Sequence, residues 1–147
     1  MRPDTALIST LLLMLFGGIA MAADTGAVKH DFRPGQVWTF HLDASEPAAT
    51  LTVLKVETLE KLGDVVHISV SAVRVPGGVT RVGHLPMSRA ALDKSVVKLV
   101  RTEDSPPDLG GYETWKRANG GVFTTSVSEA MSFVRQAIER SQTKPSP

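Results

Sequence analysis

The sequence predicts an α+β fold: an antiparallel sheet of about four to five strands, with C-terminal helices packed on one face. Three observations carry this expectation. Residues 36–85 hold four β-rich runs with alternating apolar positions, separated by loops and Gly-containing turns. After Ser88 the apolar spacing turns helical, and the clearest helix signature, beginning at Ser126, comes last. Strands first and helices later is the order of an α+β domain.

The chain has 147 residues, of which 42% are apolar and 21% charged, with a formal net charge of +1. This is the composition of one ordinary globular domain, with enough core to fold without a cofactor or metal. The basic residues are scattered among acids, so no stripe exists for nucleic acid or an anionic membrane. There is no cysteine, which excludes disulfides, thiolate nucleophiles, cysteine-based metal sites and a lipid-modified cysteine.

The N-terminus reads as an export signal over residues 1–22. Arg2 lies in a short polar start and residues 6–19 are apolar but for Ser9 and Thr10. Gly17 and Gly18 then break the run, and Ala20-Met21-Ala22 supplies the small residues of a cleavage site. The apolar run is shorter than the ~20 residues that span a bilayer. Cleavage after Ala22 would leave a periplasmic or secreted domain of about 125 residues, with no membrane contact after cleavage.

Residues 23–34 read as a flexible lead and 35–141 as the single domain. The first strand covers 36–42, with Trp38, Phe40 and Leu42 on one face. Residues 50–60 form the second. Its apolar residues switch parity between Leu51/Val53 and Leu54/Val56, which predicts a β-bulge or a strand covered on both faces. A four-residue turn containing Gly63 leads to the third strand, 65–75, so the two form a hairpin. There Val66, Ile68, Val70 and Ala72 face one way, and His67, Ser69 and Ser71 the other. Pro76-Gly77-Gly78 turns the chain into a short fourth strand, 79–85, ended by Pro86. Ser88 caps a helix over 89–101, although Val96 and Val97 are poor helix formers. Residues 103–111 form a turn-rich loop, 112–118 a short helix, and 122–124 a short strand. Ser126 and Glu129 make a capping box for the last helix, whose apolar stripe is Ala130, Phe133, Val134, Ala137 and Ile138. Residues 142–147 read as a disordered tail.

Five groups of residues bear on chemistry. His41, His67 and His84 lie in or beside three successive strands, so their imidazoles could converge on a zinc ion. No short-range metal motif supports this, and ordinary hydrogen-bonded histidines are the simpler reading. Ser88, His84 and Asp93 share one window, yet no nucleophile-elbow motif is present and Ser88 serves as a cap. Glu57 with Glu60, and Glu103 with Asp104 and Asp108, read as solvated strand-end and loop residues rather than acid–base pairs. Gly77-Gly78 and Gly120-Gly121 fit turns, not a phosphate-binding loop. Tyr112, Trp115, Lys116 and Arg117 bring two aromatics at helical spacing beside two cations, a possible contact patch for a protein or a sugar chain.

The strings GQVWTF (35–40), VVHISV (65–70), GHLPMS (83–88), GYETW (111–115) and GGVFTTSVSEA (120–130) together resemble a small, widespread bacterial protein family of unknown function. The resemblance spans most of the chain after the signal. It implies a single bacterial domain and carries no activity, cofactor or site.

The leading expectation is an exported, non-enzymatic binding domain without a cofactor. Its partner would be another periplasmic or envelope protein, as for an inhibitor or immunity-type protein. The alternative is a small periplasmic hydrolase or metal-dependent enzyme using the strand histidines. A third reading, a carrier for a small apolar ligand, requires a cavity between helices and sheet.

Overall fold

A computed structural model describes residues 26, 28–42 and 48–143. The expected signal and its cleavage residues Ala20 and Ala22 lie outside the described residues, as do residues 43–47 of the first loop and residues 144–147 of the expected tail. Among the described residues no helix is long and apolar enough to cross a membrane.

The fold is α+β, as the pattern predicts. Five strands, β1 (Gln36–Phe40), β2 (Thr50–Leu59), β3 (Gly63–Val75), β4 (Gly78–Ser88) and β5 (Val96–Thr102), form one sheet in the order β4-β3-β2-β1-β5. All pairs within it are antiparallel. Three helices accompany it: α1 (Arg89–Ser95), α2 (Gly110–Arg117) and α3 (Val127–Thr143).

The core occupies the face bearing Trp38, Phe40, Leu51, Val53, Val66 and Ile68, where Leu92 of α1 and Val127, Ala130 and Met131 of α3 join the same apolar cluster. Alternation along β3 sends His67 and Ser69 to the opposite face, and both are fully buried there. The parity switch of β2 is a bulge: pairing with β3 shifts register between Val53 and Lys55. The bulge keeps Val56 packed on the core and sends Glu57 to the opposite face, where it meets His67.

Several elements differ from the sequence expectation. The helix after Ser88 stops at Ser95, because Val96 turns to an extended conformation (φ −74°, ψ 149°) and starts β5 along the free edge of β1. Valines 96, 97 and 100 suit a strand better than a helix. Strand β4 continues through Pro86 to Ser88. Proline is tolerated because β4 is an edge strand. On its outer side the Pro86 carbonyl accepts from the Phe123 N–H and the Ser88 N–H donates to the Phe123 carbonyl. Phe123 makes an isolated parallel bridge to Met87 in place of a separate short strand. Ala72 adopts φ 59° within a register shift, so Val73 rather than Ala72 fills the core.

The capping box holds as drawn: the Glu129 carboxylate accepts from the Ser126 N–H, and the Ser126 hydroxyl oxygen from the Glu129 N–H. The buried side of α3 is rotated from the expected stripe. Val127, Ala130 and Met131 are buried, whereas Phe133 is 54% exposed. Two contacts set that rotation: the Val127 N–H donates to the Ser95 hydroxyl, and the Ser128 hydroxyl donates to the His41 carbonyl. Part of the expected lead is docked on the domain. Phe32 is 4% exposed, and the His30 N–H donates to Asp93.

Gly35 sits where β1 begins, at φ +88°, and a Cβ there would lie 2.5 Å from the Glu103 carbonyl oxygen. Its N–H donates to Val53 and its carbonyl accepts from Glu103, so one residue ties β1 to β2 and to the end of β5. Gly35→Ala is therefore expected to cost about 2–4 kcal/mol, from a left-handed backbone and a clash that only backbone can relieve. Gly83→Ala, with open space around its Cβ, should stay within about 0.5 kcal/mol. Urea unfolding midpoints at unchanged slope measure both.

Candidate functional site

The face opposite the main core carries the polar chemistry. His67, at the centre of β3, is fully buried, so both of its ring nitrogens require partners. The Nε2 atom lies 2.9 Å from Glu57 Oε1 on β2. The Nδ1 atom lies 2.9 Å from His84 Nε2 on β4. The Tyr112 hydroxyl of α2 donates to the second Glu57 oxygen, Oε2, at 3.2 Å, and Lys55 Nζ stands 3.9 Å from that oxygen. Three neighbouring strands and one helix thus converge on a single hydrogen-bonded chain.

Proton counting assigns the tautomers when both imidazoles are neutral. A Glu57 carboxylate accepts, so His67 carries its proton on Nε2 and accepts at Nδ1. His84 must then carry its proton on Nε2, which leaves its Nδ1 lone pair as the end of the chain. Electrostatics favour this state. Burial pushes the His67 pKa below its usual value, and the hydrogen bond and charge of Glu57 only partly oppose that. His84 is lowered to about 4, first by burial and then by its neighbour His67.

Helix α2 forms the lid of the cluster. The Tyr112 and Trp115 rings both meet the His67 ring edge-on, at centroid distances of 4.8 Å. Close approach requires Gly111, where a Cβ would lie 2.4 Å from the His84 Cβ. The helix ends in a Schellman motif. Asn119 adopts φ 48°, its N–H donates to Lys116, and the Gly120 N–H donates to the Trp115 carbonyl. The chain then folds back over Trp115, whose Nε1–H donates to the Gly121 carbonyl at 2.8 Å. Gly120 is required there, since its Cβ would fall 2.1 Å from the indole.

Beside this cluster lies an open groove of about 570 Å³ between the β2–β3 hairpin and α2. Glu57, Leu59, Tyr112 and Trp115 form its walls, and Lys61, Leu62 and Lys116 its rim. A second, polar trench of about 370 Å³ separates Thr50, Thr52 and Ser71 from the loop after β5. Arg81 and Arg101 border it, but Arg101 is paired with Glu103 and Arg81 donates to Ser69.

The candidates from sequence are sorted by this geometry. His67 and His84 come together, while His41 stands at the far end of β1, its N–H donating to Ser95 beside α1 and α3. The three-histidine zinc site therefore does not form, and no metal-holding group of three His, Asp or Glu residues occurs among the described residues. The Ser88–His84–Asp93 combination is also dismantled. The Ser88 hydroxyl caps α1 by accepting from Ala91, Asp93 holds His30, and His84 turns to His67. Tyr112, Trp115 and Lys116 line the groove. Arg117 lies along its own helix, against the Glu113 carbonyl and Thr114. The residue that sequence reasoning missed is Glu57, taken as a solvated strand end. Its signal was the parity switch of β2, which decides the face it occupies.

Comparison with family models, with curated proteins and with solved structures finds no match for this chain.

The histidine pair gives a signed pH dependence. Both imidazoles titrate lower folded than unfolded. As pH falls from about 6.5 towards 4 the unfolded chain binds protons that the folded chain refuses, so stability is lost through that window. The loss should be of the order of 2 kcal/mol between pH 7 and pH 4.5. His84→Gln, which offers an amide N–H to His67 without titrating, should flatten the profile in thermal unfolding scans. An unchanged slope in that variant would show that other groups carry it.

Proposed function

We propose that this chain is an exported, non-enzymatic binding module that takes a small ligand into the groove between the β2–β3 hairpin and α2. One observation carries the reading: Tyr112 and Trp115 present an aromatic wall in a cavity of about 570 Å³, within the roughly 300–1,000 Å³ typical of small-molecule sites. The cavity lies between helix and sheet, the requirement set by the carrier reading. The Glu57–His67–His84 chain supports it as a rigid backing that fixes the wall at hydrogen-bond precision. Export rests on the N-terminal pattern alone.

A protein partner is the competing use of the same aromatic residues. The volume of the groove, about 570 Å³, favours a ligand that enters it over a flat contact. An acid–base enzyme is the second reading, motivated by the free Nδ1 of His84 at the end of a carboxylate-imidazole chain. Among the described residues no hydroxyl nucleophile hydrogen-bonds to either imidazole, and this weighs for binding.

A neutral solvatochromic dye such as Nile red tests the module. Its emission should rise saturably with one site per chain. Leu62→Glu, at a position 43% exposed on the rim, should weaken dye binding about tenfold or more. Phe133→Ser, on the outer side of α3, should leave it unchanged. Absence of saturable binding, or equal loss in both variants, would refute the groove as the binding element.

A further inference from the structure

We infer that the ligand of this groove is a small amphiphile: an apolar body carrying an acidic head group such as a carboxylate. The inference rests on the binding-module reading and adds the ligand's chemistry to it.

The walls set the apolar part. Leu59, Tyr112 and Trp115 offer aliphatic and aromatic surface, which Leu62 extends to the rim, while the polar atoms of the aromatics are already engaged. The Tyr112 hydroxyl is held by Glu57 and the Trp115 N–H by the Gly121 carbonyl. Both Glu57 oxygens are likewise occupied, by His67 and by Tyr112. Away from the exposed Asn119 at one end of the groove, the aromatic wall therefore has little hydrogen-bonding capacity left to spend on a sugar or a peptide backbone.

The rim sets the charge. Lys61 and Lys116 line the groove, and neither has a carboxylate within ion-pair distance among the described residues. Lys116 Nζ lies 5.7 Å from the centroid of the Tyr112 ring, and Lys55 Nζ 5.1 Å from it. Both ammonium groups thus stand within cation–π range of the aromatic wall. Glu57 balances Lys55, so two positive charges remain at the mouth of an apolar cavity. A cationic ligand would meet two like charges and an aromatic ring already engaged by lysines. An anionic head would pair with Lys61 and Lys116 while its apolar body replaced water on the walls.

The test uses the full domain and three probes of equal chain length below their micellar concentrations: dodecanoate, dodecanol and dodecyltrimethylammonium. Binding is read from the emission of Trp115, with Trp115→Phe identifying its share against the buried Trp38, and from displacement of Nile red. Dodecanoate should bind about tenfold tighter than dodecanol, the size of two solvent-exposed ion pairs together, and the cationic probe should be weakest. The Lys61→Gln/Lys116→Gln double variant should remove the preference, bringing dodecanoate and dodecanol to similar affinity, and added salt should shrink the preference of the unaltered chain.

Equal binding of the three probes, with Nile red still held, would overturn the acidic-head inference and leave the groove reading standing. No binding of any probe or of Nile red would overturn both. Binding only to vesicles containing anionic lipid, with no affinity for free dodecanoate, would also overturn the inference, since the ligand would then be a membrane surface.

Discussion

A fully buried imidazole organises one whole side of this domain. His67 has no contact with solvent, and each of its nitrogens, left unpaired, would cost a desolvation penalty of about 1–3 kcal/mol. Satisfying both requires a carboxylate from one neighbouring strand and a second imidazole from the other, each at 2.9 Å. That demand fixes the register of β2, β3 and β4 together. It also explains the bulge after Val53: without the extra residue, the alternation of β2 would put Glu57 among the apolar side chains of the main core. The same requirement reaches α2, because the second carboxylate oxygen needs the Tyr112 hydroxyl.

The two faces of the sheet therefore hold by different means. Under α1 and α3 the core is aliphatic and aromatic, non-directional, and tolerant of small shifts. Under α2 the contact is directional and brittle, a short chain of hydrogen bonds covered by two aromatic rings. Gly111 and Gly120 mark how closely the pieces fit, since a single methyl at either would intrude on His84 or Trp115. Ser69, fully buried beside His67 on the same face and bonded to Arg81, extends the polar character along β3.

Periodicity made the sheet readable: the first four strands, the β2–β3 hairpin, the bulge, the Ser88 cap and the Ser126–Glu129 box all follow from local residue chemistry. What escaped was set by tertiary partners. Residues 96–102 carry apolar spacing compatible with a helix, but β1 had an unpaired edge, and pairing it outweighed that spacing. The buried side of α3 was misjudged because Ser95 and the His41 carbonyl, distant in sequence, set the helix rotation. The candidate site was half legible. Tyr112, Trp115 and Lys116 stood out by residue type, and His67 and His84 by their strands. Glu57 did not, because its role depends on a register that no short window encodes.

The groove inherits its properties from this arrangement. Glu57, Tyr112 and Trp115 are held by hydrogen bonds and ring contacts, so this part of the wall is already ordered and would cost little further ordering on binding a ligand. Its rim belongs to Lys61 in the hairpin turn and Lys116 in the last turn of α2, both exposed, with the Lys116 ammonium over the Tyr112 ring. In the proposed module the walls would discriminate by shape and the two lysines of the rim by charge. On the proposed binding reading, such a site would select a class of molecule, an apolar body with a suitable head, more readily than one exact compound. That breadth agrees with a sheet face whose hydrogen bonds are mostly directed inward, at His67, and leave the walls with apolar contact as their main means of recognition.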